Sequence, residues 1–340
     1  MTLLAIGALP GAAAGATADA GASGASGAQR SSTSVSAVAG LDRALAGPAC
    51  AAATTSTLAA VDGRVAERIY TSELVGPETI ADRRQVEGYA PLLSALAEGN
   101  RARITEAVHA LVYSHTHIVR LRVIQGKSVL ADIGGPYIVA PVGGSLFDHG
   151  RLVGSYLLSV QDDLGVVGLV KRLIGVPLTL RIGHLRVPLK GTVNSGSVAI
   201  PDRGPVTIHG HTLEAFSFDA KAFPAGVVRI SLLLPRAGAS AHSCAAVRVA
   251  ELGRIGRLIW GRFMLDRSPI DGFVSFLQSH TGALAYVRAG SRQIAGSTTP
   301  GPSRLPASGA LRYRGVRYGV TSFTAVTAAA RMRVYELVRL

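Results

Sequence analysis

Arg120 and Arg122 alternate with Val119, Leu121 and Val123. In an extended strand this places both guanidiniums on one face and the apolar side chains on the other. Two guanidiniums at that spacing can grip a carboxylate in bidentate fashion. The same spacing also describes an ordinary solvated strand face. Asp132, Tyr137, Asp162 and Asp163 follow closely and would complete a pocket; Asp162-Asp163 equally suits the cap of a following helix. Tyr137, in the loop Gly134-Gly135-Pro136-Tyr137, is the side chain expected nearest a ligand.

Histidines supply a second chemistry. His115 and His117, and again His209 and His211, stand two residues apart, so each pair can share one side of an extended segment and ligate a metal. However, Ser114-His115-Thr116 recurs as Ser279-His280-Thr281, where no second His follows. Capping or core packing is therefore the expected role, and no metal is assigned. His117 is kept with Arg120, Arg122, Asp132, Tyr137 and Asp163 as the candidate ligand-binding set.

Catalytic signatures are missing. The chain has no Gly-x-Ser-x-Gly elbow, no phosphate-cradling glycine loop and no zinc-protease His-Glu pair. Glycine pairs such as Gly143-Gly144 read as turn residues. The expectation is a protein that is not an enzyme and needs no cofactor.

The elements that must position these residues emerge from composition and self-similarity. Of 340 residues, 48% are hydrophobic and 16% charged, a globular balance rather than a disordered one. The net charge of +14 favours anionic partners: a small anionic metabolite, an envelope protein or a polyanion. Nucleic acid is not expected, because the arginines are scattered singly and no nucleic-acid module is present. An apolar run from Leu3 to Ala14, interrupted by Pro10, precedes small-residue sites, so residues 1–20 read as a signal peptide, although a positively charged n-region is missing. Residues 21–45 read as a flexible linker. No later run reaches 18 apolar residues, so no transmembrane segment beyond the signal peptide is expected, and the chain reads as secreted or surface-associated.

Internal repeats organise the rest. Ile200-Pro201-Asp202-Arg203-Gly204 stands against Leu305-Pro306-Ala307-Ser308-Gly309, and the same offset pairs Gly210 with Gly315 and Ser217-Phe218 with Ser322-Phe323. Upstream, after a two-residue shift, Gly165, Gly175, Arg181 and Gly183 match Gly272, Gly282, Arg288 and Gly290. A weaker copy aligns Pro141, Gly144, Leu146, Gly150 and Gly154 with Pro306, Gly309, Leu311, Gly315 and Gly319. Gly63-Arg64-Val65 with Ile69-Tyr70 repeats as Gly253-Arg254-Ile255 with Ile259-Trp260, each segment preceded by a Cys-Ala-Ala, at Cys50 and at Cys244. Apolar spacing predicts helices over 51–73, 79–112 and 165–174. Alternation predicts a hairpin over 118–133, a second turning at His149-Gly150, later hairpins turning at His209-Gly210 and Arg314-Gly315, and closing strands over 227–234 and 333–340.

A long helix, a second helix, then two five-stranded sheets is an order that resembles the extracytoplasmic PAS-like sensor modules called Cache or PDC domains. Phrases such as Val129-Leu130-Ala131-Asp132-Ile133-Gly134-Gly135-Pro136 and Phe223-Pro224-Ala225-Gly226-Val227-Val228-Arg229-Ile230 look like those of secreted actinobacterial proteins carrying a PDC sensor domain. The resemblance implies an α+β fold of tandem PAS-like antiparallel sheets. Residues 46–236 would form the double sensor domain (units about 113–164 and 165–236), and 240–340 a helix plus a third unit. It also implies binding of a small metabolite without an output module of the chain's own; the rival reading is a non-catalytic structural protein of the cell envelope. A Cys50–Cys244 disulfide is expected to tie the two helix starts together.

Overall fold

The computed structural model describes Leu45, 54–114, 117–135, 138–182, 185–186, 195–223, 226–236, 242–265, 269–327 and 330–340. The expected signal peptide (1–20) and all of the expected linker (21–45) except Leu45, together with Cys50, His115 and Tyr137, lie outside the described residues.

Helix α1 (Thr54–Glu73) is followed by α2 (Pro77–Glu87), α3 (Ala90–Glu98) and α4 (Arg101–Ser114). The single helix expected over 79–112 is thus three. Gly88 closes α2, and Gly99 closes α3 in the left-handed region at φ 67°, a conformation that costs a residue with a Cβ. Strands β1 (Arg120–Gln125), β2 (Ser128–Gly134), β3 (Ile138–Asp148) and β4 (Arg151–Asp162) come next, then α5 (Asp163–Ile174). The Asp162 carboxylate accepts from the Gly165 amide at 2.5 Å and so caps α5. β5 (Leu178–Ile182), β6 (Leu185–Arg186), β7 (Arg203–Ile208), β8 (His211–Phe223) and β9 (Val227–Pro235) precede α6 (Cys244–Leu265) and α7 (Ile270–Thr281). The chain then runs through β10 (Leu284–Ala289), β11 (Arg292–Gly296), β12 (Gly309–Tyr313), β13 (Val316–Val326) and β14 (Arg331–Arg339).

All recorded strand pairs are antiparallel. The set β5–β9 is ordered β6-β5-β9-β8-β7 and the set β10–β14 is ordered β11-β10-β14-β13-β12, which is the same 2-1-5-4-3 arrangement twice. The first set departs from the five strands expected: it is β2-β1-β4-β3. The reason is local. At Asp162 the chain passes directly from β4 into α5, so β1 pairs with β4 where a fifth strand stands in the other sets, and the outer edge of β3 pairs with β8, Ile138 opposite Phe223 and Val139 opposite Ala222. First and second sets therefore form one continuous sheet.

Three of the four predicted hairpin turns share one backbone solution. His149-Gly150, His209-Gly210 and Arg314-Gly315 have φ pairs of 47° and 79°, 50° and 77°, and 49° and 78°. Positive φ at both central residues matches the right-handed twist of the flanking strands. Gly143-Gly144, by contrast, lies inside β3 and not at a turn. A Cβ at Gly144 would meet the Tyr156 ring at 2.6 Å, so that glycine makes room for an aromatic side chain.

Two long helices lie at the centre. One core holds Val65, Ala66 and Ile69 of α1, Val249, Ile255 and Ile259 of α6, and the inward residues of the second and third strand sets (Leu180, Ile230, Val287 and Val334). A Cβ at Gly63 would collide with Phe216 of β8, and one at Gly253 with Thr321 of β13. These matched glycines let each helix seat on its own sheet. A second core packs Leu96 of α3 and Val108 and Leu111 of α4 against Leu121, Val123 and Leu158 of the first set.

Candidate functional site

The first strand set presents its charged face away from α3 and α4. Leu121 and Val123 are buried under those helices, which turns Arg120 and Arg122 to the opposite side, as the alternation predicts. The β1–β2 register sets Arg122 directly opposite Asp132. Arg120 Nε and Nη2 donate to the two Asp132 oxygens at 2.7 and 2.8 Å, while Arg122 Nη2 and Nε donate to Oδ2 at 2.6 and 3.1 Å. Arg120 Nη1 also donates to the Gly135 carbonyl at 3.2 Å. Both guanidiniums lie over the Phe223 ring, 4.8 and 5.5 Å from its centroid, within cation–π range.

Two guanidiniums thus share one carboxylate, and the cluster carries a formal charge of +1. Burial pushes the Asp132 carboxyl up, but hydrogen bonds and charge from Arg120 and Arg122 outweigh it and hold the group below the usual carboxylate range. The three side chains keep 17–22% of their surface exposed, so the cluster is half-buried and still reachable from solvent.

Other expected members are not brought to it. His117 lies half-exposed with Nδ1 3.9 Å from Glu78 Oε2 on α2. Asp163 opens α5, while Asp162 does the capping. Tyr137 lies outside the described residues. His280 is a core residue: Nε2 meets the Ser72 hydroxyl at 2.8 Å and Nδ1 the Phe276 carbonyl at 2.7 Å, and burial holds its pKa down. Among the described residues no group of three or more His, Cys, Asp or Glu is placed to hold a metal ion. Phe223 was missed as a site residue, because its place under the arginines depends on the β3–β8 pairing, which no short-range pattern announces.

The corresponding faces of the other two sets are filled. In the second, Ile200, Val206, Ile208, Ala215 and Leu233 form an apolar cluster. In the third, the fully buried Tyr286 ring, with Val320 and Leu337, occupies the face, and its hydroxyl reaches Thr298 Oγ1 at 2.8 Å. Each face also has an arginine that pins the covering loop. Arg181 donates to Ser195 Oγ and to the Gly196 and Val198 carbonyls, and Arg288 to the Pro302 and Ser303 carbonyls. These arginines are spent on structure.

No helix among the described residues is long and apolar enough to cross a membrane. No family model and no curated protein sequence matches the chain. It is similar to the periplasmic domain of Vibrio cholerae LuxQ, at 10% identity over 84% of this chain and 98% of that one, with a TM-score of 0.16. It is also similar to the ligand-binding domain of the Campylobacter jejuni chemoreceptor Tlp3, solved with 4-methylisoleucine (8% identity, 90% and 92% coverage, TM-score 0.18). A third is the ligand-binding domain of the Pseudomonas aeruginosa chemoreceptor PctC, solved with GABA (12% identity, 80% and 99% coverage, TM-score 0.14). At such TM-scores nothing about ligand or mechanism transfers, and the strand orders rest on the chain's own hydrogen bonding. The architecture is α+β, with tandem PAS-like antiparallel sheets led by long helices.

Proposed function

We propose that the chain is a non-catalytic, extracytoplasmic binding protein that takes a small anionic metabolite on the Arg120–Arg122 face of its first strand set. One observation carries this reading: two half-buried guanidiniums share a single carboxylate over an aromatic ring, where the other two sets are closed by apolar side chains. A carboxylate ligand would find one unmatched positive charge and hydrogen-bond donors already held in position by Asp132.

The three strand sets are read as copies of one unit, with units at about 113–164 and 165–236 and a helix plus third unit over 240–340. The shared 2-1-5-4-3 order of the second and third sets and the three matching hairpin turns support this. The same reading joins Cys50 to Cys244. Its support is the Ser243 hydroxyl, which donates to the Leu45 carbonyl at 3.1 Å and so brings the chain just before Cys50 beside the start of α6. Non-reducing mass spectrometry of the exported protein checks it: a linked peptide pair is expected, and two alkylated free thiols would end the idea.

The binding reading is tested by thermal shift of the chain against a panel of carboxylates, amino acids and amines. A ligand that binds only the folded state raises the melting temperature. At least one carboxylate is expected to do so in the wild type and to lose the effect in Arg122→Ala. A folded protein that ignores the whole panel instead supports the rival reading, a structural protein of the cell envelope.

A further inference from the structure

The two central helices build a pair of related places, and only one of them is neutralised by the protein. The 190-residue offset that matches Gly63-Arg64 with Gly253-Arg254 also matches Val61 with Glu251 and Asp62 with Leu252. Around Arg254 the acids are present: Nη2 lies 2.6 Å from Glu251 Oε1 and 3.4 Å from Asp62 Oδ1, and donates to the Ile174 carbonyl at 2.7 Å. Asp62 and Glu251 are buried, so this is a closed ion-pair site.

Arg64 stands at the matching place on α1, where the acids are replaced by Val61 and Leu252. There the helices leave a cleft of about 310 Å³ lined by Arg64, Arg68 and Arg248 together with Ser56, Leu252 and Thr281. Thr281 at the end of α7 is the counterpart of Ile174 at the end of α5. The positions matching Arg68 and Arg248 are Leu258 and Leu58. One place therefore holds one arginine and two acids, and its counterpart holds three arginines and no acid.

Among the described residues no carboxylate lies within 4 Å of any of these three guanidiniums; the nearest polar contact is Arg68 Nη1 to the His280 carbonyl, 3.4 Å away. Glu67 lines a second depression that shares Arg64 and Arg68 with the cleft. Burial and the like charges of Arg64 and Arg68 hold the Arg248 guanidinium below its usual value, which marks a place where an anion would be favoured.

We infer that this cleft between α1 and α6 binds a small multivalent oxyanion, a phosphate ester or a polycarboxylate, which supplies the negative charge that Asp62 and Glu251 supply at the other place. The site is separate from the Arg120–Arg122 face, and neither requires the other.

Isothermal titration of the full chain in low-salt chloride buffer tests this, with inorganic phosphate, citrate and acetate as probes. One equivalent of phosphate or of citrate is expected to bind, and which of the two binds tighter identifies the oxyanion class; acetate should bind at least tenfold more weakly. Arg64→Gln/Arg248→Gln should weaken binding at least tenfold, and Arg68→Gln alone at least threefold, with circular dichroism confirming the fold of each. Arg120→Ala/Arg122→Ala should change it less than twofold. Absence of heat with both multivalent probes in the folded wild type would overturn the inference. So would an affinity left unchanged by the Arg64, Arg68 and Arg248 substitutions, or one lost only on removing Arg120 and Arg122.

Discussion

The first and third strand sets use the same kind of sheet face in opposite ways. The third buries Tyr286 completely, covers it with the loop before β12 and pins that loop with Arg288. Among the described residues the first has four strands, and Asp132 holds its two arginines over Phe223, within reach of solvent. A face filled by an aromatic ring stabilises the fold, and the space of about 470 Å³ that remains on the third set lies beside the ring, lined by Arg288, Gln293 and Gly301. A face floored by shared charges does less for stability and more for recognition, because half-buried ion pairs contribute little net free energy yet fix donor geometry.

This contrast is sharpened first at the centre, where loss should be greatest. Arg254→Ala leaves Asp62 and Glu251 buried without their cation and should destabilise the chain by about 3–5 kcal/mol, read from urea unfolding. Tyr286→Ala empties the third face and should cost about 3–4 kcal/mol with no effect on ligand binding. Equal destabilisation by Tyr286→Ala and by Arg122→Ala would break the distinction between filled and open faces.

Glu336 sharpens the contrast in pH. Its carboxyl is fully buried against α6 at Gly256, neither oxygen has a hydrogen-bond partner among the described residues, and burial pushes its pKa from 4.5 up to about 8. The folded chain therefore keeps a proton that the unfolded chain has lost. The contribution of this group to stability is fully present below about pH 4.5, falls as pH rises towards about 8, and levels off beyond. Glu336→Gln should flatten that fall and raise stability at pH 7 by on the order of 3 kcal/mol. A pH profile of the unfolding midpoint identical to that of the wild type would contradict the assignment. The smallest effect is expected at the open face: Arg122→Ala should cost about 1 kcal/mol or less in stability, its consequence being for binding.

Features set by neighbouring residues were legible before the fold was known. The hairpin turns, the Asp162 cap and the alternation of Arg120 and Arg122 with apolar side chains each depend on a few adjacent positions, and each is where the spacing puts it. The matched glycines Gly63 and Gly253 likewise mark helices that press on sheets. What was not legible depends on distant pairing. Strand β1 pairs directly with β4, at the place the fifth strand takes in the other sets, and Ile138 and Val139 join Phe223 and Ala222 across two strand sets, which slides an aromatic ring under the arginines. The break of the expected long helix into α2, α3 and α4 was written in Gly88 and Gly99, but apolar periodicity ran through both and hid it.

The central claim, that the open face of the first strand set binds a small carboxylate, is met most directly by isothermal titration of the best carboxylate from the thermal panel into wild type and Arg122→Ala. The account predicts one equivalent bound by the wild type and at least tenfold weaker binding by the folded variant. Equal affinity in the two proteins would contradict it.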